Sequence, residues 1–269
     1  MGMGTSSSMS PVDPVLLKDR HDISLGSGIE KGMTDKVGPE TEDQFPDLLE
    51  RFGAYIRSPN LKVTGSIWIK HYSPLVVGAL YAWIHHSYGM DVSWSNMKIA
   101  LDEEGLHFHV SDPRPLAELD SAGSEEERTE LYLRHLFAVN VTPVVNMAVR
   151  YTRIQEPHLW ATLSYSMAYW KEVWMREAKT GEDRRRIEDV YRRMTAPGKA
   201  AWFPDKEANP LLPGFRSIGD PLHEGRRIMV RDKCCLNYCL PGEDRYCYTC
   251  PLITDERRIE KYLAVHAGK

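Results

Sequence analysis

The run "PLVVGALYAWI", Pro74 to Ile84, is the longest apolar stretch in this 269-residue chain, and its reading sets the fold. It is well short of the roughly 20 residues that a bilayer-crossing helix needs. His71, His85 and His86 flank it. A buried helix fits better, because a helix that is apolar all round is enclosed by protein. The helical stretch extends from about Ser66 to Tyr88. Pro74 is expected to kink or divide it, since proline has no amide donor and clashes with the preceding turn.

The segments on either side are mainly helical. "QFPDLLERFGAYI" places Phe45, Leu48, Leu49, Phe52 and Ile56 at helical spacing, and Ser58-Pro59-Asn60 ends it. "MKIALDEEGLHFHV" reads as a hairpin: Ile99 and Leu101 alternate on one arm, Leu106, Phe108 and Val110 on the other, with "DEEG" as the turn. Ser124 to Glu127 forms a capping box before Leu131, Leu133, Leu136 and Val139, and Pro143 interrupts that pattern. Pro157 opens a helix striped by Trp160, Leu163, Met167, Trp170 and Trp174. "GEDRRRIEDVYRRM" is a charged, exposed helix. "RRIMVRDK" is a strand, and Thr254 caps a last helix whose inner face is Ile259, Tyr262, Leu263 and His266.

These readings predict an α+β fold. Residues 1–40 are a flexible tail, 41–196 a helix-rich body with a small antiparallel sheet or hairpins, 197–225 a Pro/Gly-rich connector, and 226–269 a C-terminal cysteine-bearing module. Hydrophobic residues make up 42% of the chain and charged residues 27%, and the net charge is −4. This balance has no basic excess of the kind that marks nucleic-acid binding. The amino terminus, "MGMGTSSSMS", lacks the apolar core of a secretory signal. The expectation is a cytoplasmic protein with no transmembrane segment, peripheral membrane contact being left open. In that compartment structural disulfides are rare.

All five cysteines lie in "KCCLNYCLPGEDRYCYTC", Lys233 to Cys250. An odd, crowded set suits a disulfide scaffold badly and points to metal or redox chemistry. Cys-Cys, eleven intervening residues, then Cys-x-x-Cys gives four soft thiolates, enough for an iron–sulfur cluster or one Zn²⁺. Adjacent residues on a strand point to opposite faces, so Cys234 and Cys235 need an irregular backbone to converge. That disfavours a standard zinc ribbon and suits a larger two-iron centre.

"CCLNYCLPGEDRYCYTCPL" resembles the carboxy-terminal signature of the FhuF-like ferric-siderophore reductases. "SIWIKHYSPLVVGALYAWI", "DVSWSNMKIALDEEG", "HLFAVNVTPVVNMAV" and "LWATLSYSMAY" are similar to that family's upstream segments. The likeness runs from about Leu48 to Leu252. It implies a [2Fe–2S] cluster in the C-terminal module, held by Cys234, Cys235, Cys247 and Cys250. The spacer is one residue longer than in the family, which costs little in the "PGEDR" loop. Cys239 is extra: it is either an alternative ligand to Cys235 or a small buried hydrophobe.

The resemblance implies reduction of siderophore-bound Fe(III) to Fe(II) by one-electron transfer, releasing iron inside the cell. No G-x-G-x-x-G fingerprint is present, and "GSG" at Gly26 to Gly28 is too short to serve, so an external donor is expected, a ferredoxin or a flavin reductase. The rival readings are a [2Fe–2S] carrier serving a protein partner and a structural zinc module in a binding protein. Arg226, Arg227, Arg231 and Lys233 precede the cysteines. They either attract the ferric complex, tune the cluster, or merely guard a strand edge. His107 and His109 share one strand face but lack a third ligand nearby, and His85 and His86 diverge on a helix. The Trp160–Trp174 stripe reads as core rather than as a siderophore pocket.

Overall fold

α3, Leu61–His86, runs unbroken through Pro74. The missing amide would strand the carbonyl of Lys70 one turn back. The hydroxyl of Ser73 donates to that carbonyl at 2.8 Å and fills the gap. This local repair is why the expected division does not occur. The side chain of Asn60 caps the start by accepting from the Val63 N–H at 3.1 Å, and a left-handed Ser87 closes the end. Nearly every residue from Val63 to Ile84 is buried, so the helix is the core's central rod.

In the computed structural model the described residues are 12–26, 44–198, 202–203, 206–212, 214–242 and 246–267. α1 (Pro14–His21), α2 (Phe45–Tyr55), α5 (Thr142–Thr152), α6 (Glu156–Glu177) and α7 (Gly181–Met194) all pack on α3. α4 (Glu125–Arg134) passes through a π-helical segment, His135–Val141, into α5. Pro143 therefore falls just after the widened turn, where the Thr142 N–H reaches back five residues to the Phe137 carbonyl. The Tyr72 hydroxyl donates to Asn140 Oδ1 at 2.7 Å, and Asn140 Nδ2 donates to the Val92 carbonyl at 2.8 Å. This chain of buried polar groups ties α3 to the π-helical segment.

β2 (Met97–Leu101) and β3 (Leu106–Val110) form the expected hairpin, with Leu101 opposite Leu106. The Asp102 carboxylate accepts from the amides of Glu104 and Gly105 and so shapes the turn. β1 (Ile23–Leu25) adds to this sheet parallel to β3, with Ile23 opposite Phe108. Two expectations change here. The sheet is mixed rather than antiparallel, and residues 12–26 of the supposed tail are folded into the body, with Leu17 and Ile23 fully buried. The remainder of residues 1–40 lies outside the described residues.

A second, antiparallel sheet pairs β4 (Arg216–Gly219) with β5 (Arg227–Val230). β4 falls inside the stretch expected to be connector, so that stretch is in part a strand. α8 (Asp255–His266) is capped by Thr254 Oγ1, which accepts from the Arg257 N–H at 3.3 Å. Its inward side differs from the expected apolar face. Arg258 and Lys261 are buried, whereas Ile259, Tyr262, Leu263 and His266 are only half-buried. Among the described residues no helix is long and apolar enough to cross a membrane.

Candidate metal centre

After β5 the chain leaves regular structure at Arg231 and delivers Cys234 and Cys235 on an irregular segment. Leu236 follows with φ at 60°, a left-handed bend that reverses the path. Its N–H points back to Cys234 Sγ at 3.4 Å. α3 holds this bend in two places. Ser66 Oγ donates to the Cys235 carbonyl at 2.8 Å, and Lys70 Nζ donates to Asn237 Oδ1 at 2.8 Å.

The Cys-x-x-Cys arm is a tight turn in which the Cys250 N–H donates to the Cys247 carbonyl at 3.0 Å. α8 braces it from behind. Arg258, fully buried, donates through Nη1 to the carbonyls of Tyr248 (2.6 Å) and Cys250 (2.9 Å) and through Nη2 to that of Ile253 (3.1 Å). This accounts for the charged inner face of α8: the helix covers backbone carbonyls, and a guanidinium supplies the matching donors.

The two arms meet at sulfur. Cys234 Sγ lies 3.7 Å from Cys250 Sγ. Two thiolates bound at about 2.3 Å to one tetrahedral metal stand about 3.8 Å apart. This pair is therefore spaced to share an ion. Burial pushes the Cys234 thiol up to about 12, the Leu236 N–H opposing and Cys250 and Cys235 adding to the rise. Burial likewise raises Cys250, with Cys247 and Cys235 contributing. Ionised sulfur here calls for a cation to compensate it, which is what a metal supplies. Among the described residues no three His, Cys, Asp or Glu side chains converge on one point. Cys234 and Cys250 are the sulfur pair brought together among the described residues.

Cys239 lies between the two arms in sequence. It is half-buried on a 3₁₀ turn, packs against the hydrophobic core, and interacts with Tyr238. Glu243 to Arg245, within the "PGEDR" spacer, lie outside the described residues.

A family model described as "Ferric iron reductase FhuF-like transporter" matches residues 66–211. That span is more than half of the chain. The chain belongs to the FhuF family. The match begins on α3 and ends before β4, so all five cysteines lie beyond it. No curated protein matches the chain. At family level the activity is ferric iron reduction.

The four cations preceding the cysteines of this FhuF-family chain occupy different settings. Arg226 and Arg227 are exposed at the start of β5, and Arg227 donates to the hydroxyl and carbonyl of Ser217. Lys233 is exposed and lies 3.8 Å from Asp232. Arg231 turns inward, its guanidinium carbon 4.2 Å from the ring centroid of Tyr165 on α6. His107 is held by Asp102 at 3.0 Å and faces Asp22 at 3.7 Å, an ordinary structural bridge. His85 packs on Tyr81 and Trp174.

Trp160, Leu163, Met167 and Trp174 are core, as the helical stripe implied. Trp160 also edges a cavity of about 290 Å³ that Lys206, Phe215 and Asp232 help to line. Sequence spacing missed Ser66, Lys70, Tyr165 and Arg258. Each sits on a helix that carries no site motif, and each reaches the cysteines only through the tertiary fold.

Proposed function

We propose that this protein reduces siderophore-bound Fe(III) to Fe(II) by transferring one electron, with Cys234, Cys235, Cys247 and Cys250 holding a [2Fe–2S] cluster. The observation that carries the reading is the 3.7 Å approach of Cys234 and Cys250 in a chain of the FhuF family. The environment of Cys235 supports its place in the set, since it acts on Cys234, Cys250 and Arg231.

Once bound there, the cluster would supply one-electron chemistry at a potential that the protein sets. The chain's own residues shape that setting. Ser66 and Arg258 fix the two cysteine arms through backbone carbonyls, and Lys70 through the side chain of Asn237. Hydroxamate and catecholate oxygens are hard donors that favour Fe³⁺ over Fe²⁺, so a single added electron loosens the iron. No proton-transfer residue is required. Arg226, Arg227 and Lys233 lie exposed before the cysteines and favour the approach of anionic ferric complexes. The electron comes from an external donor, a ferredoxin or a flavin reductase, and the reaction runs in the cytoplasm.

Iron and acid-labile sulfide, measured on anaerobically purified protein, test the reading together with single Cys→Ser variants. The wild type is expected to be brown with equal iron and sulfide. Cys234→Ser, Cys235→Ser, Cys247→Ser and Cys250→Ser should lose the chromophore and Cys239→Ser should keep it. A colourless protein carrying stoichiometric zinc would instead support the structural zinc module.

A further inference from the structure

Arg231 has an orientation that its position in the sequence does not explain. Its backbone N–H donates to the Thr249 carbonyl at 3.1 Å, which ties the end of β5 to the Cys-x-x-Cys turn. Its side chain is clamped on the face of Tyr165. Yet Nε and Nη1 are buried and have no hydrogen-bond partner among the described residues. A charged donor buried without an acceptor is costly. Burial works against the charge of Arg231, but Cys235, Cys247 and Tyr165 outweigh it, and the balance raises its pKa. The tether sets this cation beside the Cys-x-x-Cys turn, where Thr249 Oγ1 lies 3.4 Å from Cys247 Sγ, and Cys235, Cys247 and Tyr165 are the groups whose charge favours it.

We propose that Arg231 is a potential-setting residue of the metal centre: Nε–H and Nη1–H donate to sulfur on the Cys235 and Cys247 side, and the fixed positive charge favours the reduced state. This rests on the cluster reading above. Donors to sulfur and nearby positive charge both stabilise the extra negative charge of reduction. The stack on Tyr165 and the Thr249 tether hold the planar fork in place, a task for arginine rather than lysine. Arg231 is thereby separated in role from the exposed Arg226, Arg227 and Lys233.

The test uses full-length wild type, Arg231→Gln and Arg231→Lys, each analysed for iron and sulfide and then titrated anaerobically with EPR detection. Arg231→Gln is expected to shift the reduction equilibrium about tenfold towards the oxidised form, a potential lower by about 59 mV. Arg231→Lys should fall between it and the wild type. A fully loaded Arg231→Gln with the wild-type potential overturns the proposal.

Should the glutamine variant fail to load, wild type labelled with ¹⁵N-arginine decides by pulsed EPR of the reduced protein. A ¹⁵N hyperfine coupling that disappears in Arg231→Lys supports the assignment. No coupling, or one that survives the substitution, overturns it. A wild type without iron and sulfide refutes the preceding reading instead, and is recognised before any variant is made.

Discussion

Ser66, on the second turn of α3, donates its hydroxyl to the carbonyl of Cys235 across 169 positions at 2.8 Å. The bond ties the central core helix directly to the vicinal cysteine pair. Ser66 is fully buried, so truncation leaves the carbonyl without a partner and without water. Ser66→Ala is expected to cost about 1–3 kcal/mol in chemical denaturation. An unchanged midpoint and slope would show that the bond is dispensable.

Arg258 is the larger anchor. It satisfies three carbonyls around the Cys-x-x-Cys turn and pairs with Asp255 at 3.1 Å. Arg258→Met strands all of them and is expected to cost about 3 kcal/mol or more. Arg258→Lys should rescue little, because one ammonium cannot reproduce the planar fork. Urea denaturation of both variants checks this. Recovery by lysine would mean that charge alone matters.

Gly78 on α3 sits beneath the segment that carries α1 and β1. A Cβ there would collide with Ile23 Cδ1 and stand 2.9 Å from His21 Cβ. Gly78→Ala is expected to destabilise by about 1–3 kcal/mol through overpacking. Adding Ile23→Val removes the colliding methyl, so the double variant should be more stable than the sum of its parts predicts. Strict additivity in a double-mutant cycle would contradict the contact.

His21 sets an acid limit. Burial, aided by Arg20, lowers its pKa from 6.5 to about 4, and neither ring nitrogen has a hydrogen-bond partner among the described residues. His71 is lowered to about 4 for the same reason, with Lys70 assisting. The folded form holds these rings neutral while the unfolded chain protonates near 6.5. Stability is therefore complete above that pH and is lost as pH falls towards 4, at up to about 1.4 kcal/mol per pH unit for His21. Urea midpoints at pH 7.5, 5.5 and 4.5 should fall in that order, and His21→Leu should flatten the trend. A flat wild-type profile would contradict it.

Much of this was legible in the sequence because the signals were local. The hairpin followed from alternation around "DEEG", α6 from Pro157 and its aromatic stripe, and the irregular vicinal pair from strand geometry. Three features were not local. Ser73 rescues Pro74 only in three dimensions, through a carbonyl one turn away. β1 is three residues long and gains its meaning from a parallel partner at Phe108. The face of α8 was misread because apolar periodicity cannot reveal that a helix will cover carbonyls, for which a buried arginine is the suited side chain. At the candidate metal centre, the thiols announced themselves by crowding, whereas Ser66, Tyr165 and Arg258 lay on elements with no motif.

The central claim is tested most directly by one anaerobic turnover. The protein is reduced with dithionite, freed of excess, and mixed with one equivalent of a ferric siderophore in the presence of a ferrous-specific chelator. The account predicts loss of the reduced EPR signal with one Fe(II) captured per cluster oxidised. A protein that is reduced but is not reoxidised by the siderophore is a carrier for some other acceptor, and that result would contradict the account.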